Sequence, residues 1–139
     1  GSPYVTERWL GGTLTNFKAI SKRVDNFKRL RADRESGKLD KYTKKEQLLI
    51  SRDLAKMARN FTGIENLNML PSVLVIIDTA EHKTAVNEAI NLGIPIVGLI
   101  NTDGDPDKVK YPIPCNDNAR PSVKLILDKL AEKLKLPNG

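Results

Sequence analysis

Apolar residues recur every three or four positions through the first part of the chain, a spacing that places them on one face of a helix. In the first stretch they are Leu14, Phe17, Ile20, Val24, Phe27 and Leu30. The pattern breaks between Asp33 and Tyr42, where Ser36-Gly37 is a turn signal. The sequence therefore predicts a first amphipathic helix that ends near this turn.

A second helical pattern begins at Thr43. The segment "TKKE" fits a capping box, in which Thr43 and Glu46 each accept a hydrogen bond from the other's backbone N–H, and Gly63 is a plausible stop. The predicted apolar face consists of Leu49, Leu54, Met57, Ala58, Phe61 and Ile64. Two helices with matching apolar faces and a short connection predict an antiparallel, coiled-coil-like hairpin.

From Pro71 onwards the pattern alternates between strands and helices. The run "VLVIID" (73–78) predicts a strand buried on both faces, as does "PIVGLI" (95–100). The proline-bounded "YPIP" (111–114) predicts an edge strand, and Pro3–Val5 a further short strand. This order predicts an α/β fold with a parallel sheet.

Two helices flank these strands in the prediction. The first ends at Gly93 as its C-cap, and the second is capped by Asn116 or Asp117. The residues expected to face inward are Ala85, Val86, Ala89, Ile90 and Leu92 in the first helix, and Val123, Ile126, Leu127, Leu130 and Leu134 in the second.

Charge is distributed unevenly along the 139 residues. The net charge is +6, but residues 8–62 hold 15 Lys and Arg against 6 Asp and Glu, a net of +9, which leaves −3 for the remainder. A concentrated basic segment indicates a polyanionic partner, although a solvated helical surface is the simpler alternative. The single cysteine excludes a disulfide within the chain, and no apolar run approaches the roughly 18 residues of a membrane span.

Several motifs together resemble one known family. The segments "ERWLGGTLTNFKAI", "DKYTKKEQLL", "LPSVLVIID", "EAINLGIPIVGLINTDGDPD" and "YPIPCNDNA" follow in order along almost the whole chain. They are similar to the bacterial-type S-two family of small-subunit ribosomal proteins. The family usually has more chain before this point, so we expect an N-terminally truncated piece, with Gly1-Ser2 as the remnant of a cleaved tag.

The resemblance implies a flavodoxin-like (Rossmann-like) parallel sheet flanked by helices, with an inserted antiparallel helical hairpin. On this interpretation the basic hairpin spans residues 13–62, and residues 3–12 and 63–136 form an incomplete α/β sheet domain. It further implies a structural protein, not an enzyme, that binds small-subunit ribosomal RNA and contacts neighbouring ribosomal proteins. We expect a cytoplasmic or organellar ribosome, and no cofactor, membrane or DNA partner.

The stretch "RWLGGTLTNF" (8–17) contains two adjacent glycines before the first helix. It lacks the GxxxxGK[ST] spacing of a P-loop and the GxGxxG dinucleotide fingerprint. Gly11 and Gly12 predict a tight turn with Thr13 or Thr15 as N-cap. N–H groups at such a helix start can also hold RNA backbone phosphates.

The predicted RNA-binding residues combine this turn with the basic helix faces. Lysines and arginines would bind phosphates, and Trp9 or Tyr42 would stack on a base, unless these two rings serve only in packing. The candidates are Arg8, Trp9, Thr15, Asn16, Lys18, Lys22 and Arg23, with Lys44 and Lys45 as weaker ones.

The sequence signals for metal binding and catalysis are weaker than those for RNA binding. Asp103 and Asp105 in "DGDPD" are candidates for a cation site or plain turn formers. His82 and Cys115 have no partner pattern, so a helix-start residue and a packing residue are the simplest interpretations. Two rival functions remain open: a nucleotide-binding or enzymatic Rossmann-like domain, and a protein–protein adaptor that uses the hairpin.

Overall fold

A computed structural model of the chain describes residues 2–135, with side chains up to residue 133. The chain divides into two compact units after Leu70. Residues 3–12 and 63–70 lie in the same unit as the first two helices. The predicted sheet domain extends to residue 136, which lies outside the described residues.

The first unit is built from two long helices. Helix α1 spans Phe17–Glu35 and helix α2 spans Lys44–Phe61. Between them lie the predicted turn, where Gly37 adopts a φ of 71°, and a short 3₁₀ helix at Lys38–Lys41. A second 3₁₀ helix, Thr62–Ile64, follows α2 directly. Both helices that the apolar spacing predicted are therefore present.

One hydrophobic core joins these helices. Its fully buried members are Ile20, Val24 and Phe27 of α1 with Leu54, Phe61 and Ile64. The prediction that Leu49 faces inward is wrong, because its side chain is 51% exposed. Leu49 lies five positions before Leu54, which rotates it by about 140° around the helix. Ile50 lies partly buried against the core instead.

Two contacts connect α1 to the C-terminal end of α2 and to the segment just after it. The rings of Phe27 and Phe61 lie 6.3 Å apart between centroids, and Arg31 pairs with Glu65 just beyond α2. The contacts thus establish a shared core, while the inserted antiparallel hairpin stays a prediction.

The segment Pro3–Val5 is not a strand, contrary to the prediction. A hydrogen bond from the Tyr4 N–H to the Gly63 carbonyl, at 2.9 Å, connects this segment to the 3₁₀ helix that follows α2 in the first unit. Pro3 has no N–H, and a ladder needs more than one such bond. A Cβ on Gly63 would collide with the Tyr4 carbonyl oxygen, so this approach requires glycine.

The second unit contains a three-stranded parallel sheet of order β1-β2-β3. The strands are β1 (Leu74–Ile77), β2 (Ile96–Ile100) and β3 (Tyr111–Pro114), with helix α3 (Lys83–Asn91) between β1 and β2. Helix α4 (Arg120–Lys135) follows β3. This confirms the α/β class, the parallel sheet and the edge position of β3.

Burial in the sheet is less complete than predicted for β1. In the central strand β2, Ile96 and Leu99 are 2% and 0% exposed. In contrast, Val73 and Val75 are 45% and 42% exposed, and Ile76 is the buried residue of β1. Val73 and Val75 are two positions apart and so point to the same face, which the described residues leave largely uncovered.

Helix α3 ends in a Schellman motif, which confirms Gly93 as its stop signal. Gly93 has a φ of 67°, its N–H bonds to the Ile90 carbonyl, and the Ile94 N–H bonds to the Ala89 carbonyl. Ile90 and Leu92 were expected inside but are 47% and 41% exposed. Ile90 is rotated by about 100° from the buried Ala89, and Leu92 lies beyond the last helical residue.

Helix α4 begins later than predicted. The Asn116 side-chain oxygen accepts hydrogen bonds from the N–H groups of Asn118 and Ala119, so it organises the turn before the helix. Val123, Ile126 and Leu130 are partly buried as expected, but Leu127 is 37% exposed. The predicted inward side chain of Leu134 lies outside the described side chains.

Candidate nucleic-acid interface

A glycine turn leads into α1. Gly12 has a φ of 87°, a value that favours glycine, and its carbonyl accepts from the Asn16 N–H at 2.8 Å. Thr13 is buried, and its hydroxyl donates to the Leu10 carbonyl at 2.5 Å. Asn16 occupies the N-cap position without a side-chain capping bond. The prediction of Thr13 or Thr15 as N-cap is therefore wrong, because Thr13 closes the preceding turn.

Four of the predicted RNA-binding residues lie in this turn and the segment before it. Arg8, Thr15 and Asn16 are exposed, while Trp9 is half-buried. Exposed polar groups beside a helix start can contact phosphate oxygens directly. The half-burial of Trp9 leaves only part of its ring for a base, so packing accounts for much of its surface.

The basic residues of α1 separate into two groups around the helix. The helical repeat places Lys18, Lys22 and Arg29 on one stripe, opposite the buried residues of the core. Lys18 and Lys22 are exposed, and Arg29 donates to the Asn26 side-chain oxygen at 2.8 Å. This stripe presents two ammonium groups and one guanidinium group to solvent, where they can neutralise phosphates.

Arg23 lies nearer the core than the lysine stripe. Its guanidinium carbon is 5.8 Å from the centroid of the Phe61 ring, within cation–π range, although the residue as a whole is exposed. The sequence grouped Arg23 with Lys18 and Lys22. The structure shows that its surroundings differ, because α2 supplies a ring beneath it.

Arg31 is a basic residue of α1 with an acidic partner. Its two terminal nitrogens bind the two carboxylate oxygens of Glu65 at 2.6 and 2.9 Å. This hydrogen-bonded pairing, together with the charge of Glu65, raises the pKa of Arg31. Sequence reasoning missed this pair, because the two residues lie 34 positions apart and no local pattern links them.

The start of α2 carries the weaker candidates. Lys44 and Lys45 are the first two helical residues and are exposed. The predicted capping box is confirmed: the Thr43 N–H donates to Glu46 Oε2 at 2.9 Å, and the Glu46 N–H donates to Thr43 Oγ1 at 3.4 Å. The bonds from the Thr43 N–H and then its hydroxyl lower the pKa of Glu46. Two lysines at the positive end of a helix dipole raise the local positive potential.

The acidic loop of the second unit has a structural use. Asp105 caps the 3₁₀ helix Pro106–Lys108, since its Oδ1 accepts from the Asp107 N–H at 3.1 Å. Asp105 also pairs with Lys108 at 3.2 Å. Across residues 2–135, no group of three or more His, Cys, Asp or Glu side chains is arranged to hold a metal ion. Asp105 is thus engaged within the loop, Asp103 lies in the turn before it, and a cation site at these two residues stays a prediction.

His82 lies at a helix start, as the sequence predicts. It occupies the N-cap position of α3, where its N–H donates to the Asp78 carbonyl and its carbonyl accepts from the Val86 N–H, both at 3.2 Å. These hydrogen bonds of His82 are therefore made by its backbone.

Across residues 2–135, no helix is both long and apolar enough to cross a membrane.

Comparison with known proteins identifies the family. The family model described as Ribosomal protein S2 matches residues 1–135. Small ribosomal subunit protein uS2 of Coprothermobacter proteolyticus is 42% identical over 134 residues, which cover 96% of this chain and 50% of that protein. The uS2 protein of Synechocystis sp. is 46% identical with the same coverage, and uS2c of Rhodomonas salina is 44% identical over 139 residues, 57% of its length.

The chain spans about half the length of the curated relatives it matches. The match still covers nearly every described residue, including the glycine turn, α1 and α2, and the parallel sheet. It confirms the family indicated by the motifs "RWLGGTLTNF" and "IPIVGLINTDGDPD". The chain therefore belongs to the ribosomal protein S2 family.

Proposed function

We propose that this chain is part of a structural component of the small ribosomal subunit, not an enzyme, and that it binds ribosomal RNA through the first unit. The observation that carries the proposal is the row of exposed cations along the glycine turn and α1, in a chain of a ribosomal protein family. Relatives that carry the name small ribosomal subunit protein support the setting. Its partners are then ribosomal RNA and neighbouring small-subunit proteins, on a cytoplasmic or organellar ribosome.

The binding mode follows from the chemistry of the proposed RNA-binding surface. The surface consists of Arg8, Trp9, Thr15, Asn16, Lys18, Lys22, Arg23, Lys44 and Lys45. Its cations release counterions from RNA, and its hydroxyl, amide and N–H groups fix the register along the backbone. Because the major groove of an RNA helix is deep and narrow, such a surface recognises shape and phosphates.

For the whole protein, we propose that residues 13–62 form an antiparallel coiled-coil-like hairpin inserted into a flavodoxin-like domain built from residues 3–12 and 63–136. The turn at Gly37 and the core shared by α1 and α2 support the hairpin. The three parallel strands of the second unit support the Rossmann-like domain.

A second candidate function is a protein contact on α2. Leu48 and Leu49 are adjacent and 52% and 51% exposed, which is unusual for two leucines on a basic helix. An apolar contact there would survive high salt, whereas phosphate binding weakens steeply as salt rises.

The test is binding of the chain to small-subunit ribosomal RNA and to an unrelated RNA over a range of salt concentrations. Lys18→Glu, Lys22→Glu and Arg23→Glu together should abolish binding to the ribosomal RNA while helical content is retained. The matched control reverses three exposed lysines of the second unit, Lys110, Lys129 and Lys133, and should keep most of the affinity. Equal affinity of the two triple variants would contradict the proposed surface, and micromolar binding of a nucleotide would favour the Rossmann-like enzyme instead.

A further inference from the structure

We propose that Arg23 is a pre-oriented anchor for an RNA phosphate, and that Glu65 keeps Arg31, its counterpart on the same helix, out of the RNA interface. This inference rests on the proposed RNA binding and adds which cation determines its geometry. It separates two arginines that composition alone treats as equivalent.

The support for Arg23 comes from the aromatic core. Phe61 is 1% exposed and lies against Phe27, which is also 1% exposed, so the ring beneath Arg23 is held by the core. The guanidinium carbon of Arg23 lies 5.8 Å from the centre of that ring. Within residues 2–135, no hydrogen bond or ion pair is recorded for the Arg23 side chain. Its planar group therefore has a fixed support and free donors.

The guanidinium of Arg31 also lies over a buried ring, but its charge is already paired with a carboxylate. It lies eight positions after Arg23, and its guanidinium carbon is 5.2 Å from the centre of the Phe27 ring. Both terminal nitrogens are engaged by Glu65, whose side chain is only 15% exposed. A phosphate that approached Arg31 would have to compete with a carboxylate already in place and would be repelled by its charge.

The two arginines should therefore differ in how they bind a phosphate. A guanidinium fork matches two phosphate oxygens at once, and a fork that is already oriented loses less conformational entropy on binding. Lys18 and Lys22 are point charges on flexible stems, so they add affinity with little geometric preference. Arg23 combines a free charge with a position against a buried ring.

Charge-preserving substitutions test this inference. Arg23→Lys keeps the charge but loses the fork and weakens the contact with the Phe61 ring, so affinity for small-subunit ribosomal RNA should fall about five- to tenfold. The slope of log affinity against log salt should stay unchanged, because the number of neutralised phosphates is the same. Arg23→Gln should weaken binding further and reduce that slope by about one.

Arg31→Lys is the matched control. It should change the RNA affinity less than about twofold and lower the thermal unfolding midpoint, because it disrupts the bidentate pair. Glu65→Gln releases Arg31 and should raise affinity more than Asp53→Asn, which removes an equal charge from an exposed site on α2.

The outcomes distinguish the inference from the function on which it rests. Wild-type chain that fails to bind the ribosomal RNA would overturn both. Wild-type binding with an undiminished Arg23→Lys variant, or an equal loss for Arg31→Lys, would overturn the role of Arg23 alone. The Glu65→Gln measurement gives an independent answer if Arg31→Lys does not fold.

Discussion

At the scale of single residues, Thr43 and Glu46 decide where α2 begins. Each side chain accepts the backbone N–H of the other, so two of the unpaired donors at the helix start are satisfied. The Thr43 hydroxyl also donates to Glu46 Oε2 at 2.9 Å. The carboxylate form of Glu46 is the better acceptor, which is why these bonds lower its pKa.

The lowered pKa of Glu46 predicts a pH dependence of stability. In the unfolded chain a glutamate has a pKa of about 4.3. Because the folded-state pKa is lower, the unfolded chain takes up the proton first, and the stabilisation is present above that pH and lost as pH falls through the folded pKa. Thermal unfolding of wild type and Glu46→Gln should therefore differ most near neutral pH and converge in acid. A difference that stays constant with pH would contradict the assignment.

At the scale of elements, the amphipathic pattern predicted the core residues of α1 better than those of α2. The apolar spacing of α1 correctly predicted Ile20, Val24 and Phe27 as core residues. In α2 the same reasoning selected Leu49, which is exposed, and omitted Ile50, which is partly buried. Adjacent apolar residues are ambiguous because they lie about 100° apart, and only the neighbouring helix decides which one is covered.

The start of α2 predicts a conflict between stability and binding. Lys44 and Lys45 oppose the helix dipole, so replacing both by Glu should stabilise the chain by about 0.3–1 kcal/mol per residue. The same change should weaken RNA binding, because two cations become two anions. Urea unfolding and RNA titration of Lys44→Glu/Lys45→Glu measure both effects.

The control for this prediction places the same charge change near the other end of a helix. Lys129→Glu/Lys133→Glu lies toward the C-terminal end of α4, where negative charge is unfavourable and should not raise stability. A gain in stability in the control, or an unchanged RNA affinity in the α2 variant, would contradict the prediction.

At the scale of the whole molecule, the basic segment 8–62 dominates the electrostatics. Its net charge of +9 exceeds that of the chain, because the remainder is mildly acidic. The cations proposed for phosphate contact are Arg8, Lys18, Lys22, Arg23, Lys44 and Lys45, and all are exposed. Binding should therefore depend on salt much more than on RNA sequence.

This charge distribution predicts how steeply the RNA affinity falls as the salt concentration rises. About six phosphate contacts give a slope of log affinity against log salt near −5, or a loss of about a thousandfold between 50 and 200 mM salt. Filter binding or fluorescence anisotropy at four or five salt concentrations measures it. A slope near zero would indicate an apolar contact, such as one at Leu48 and Leu49, in place of phosphate binding.

Much of the fold and of the candidate site was accessible from the sequence where the signal is local. The capping box at Thr43, the stop at Gly93 and the buried strand β2 each rest on a few consecutive residues. The failed strand at Pro3–Val5 and the exposed Val75 have another cause. A strand needs hydrogen-bonding neighbours and a covered face, and these come from distant parts of the chain.

The sequence by itself determined the family, the α/β class and the concentration of positive charge before and along the first two helices, because motifs, hydrophobic period and charge are properties of the linear chain. Tertiary structure alone decided which arginine keeps its charge available. Arg23 and Arg31 each lie over a buried ring, and they differ because Glu65, from beyond the turn, binds Arg31. A contact across more than 30 positions leaves no periodic trace, so packing had to reveal it.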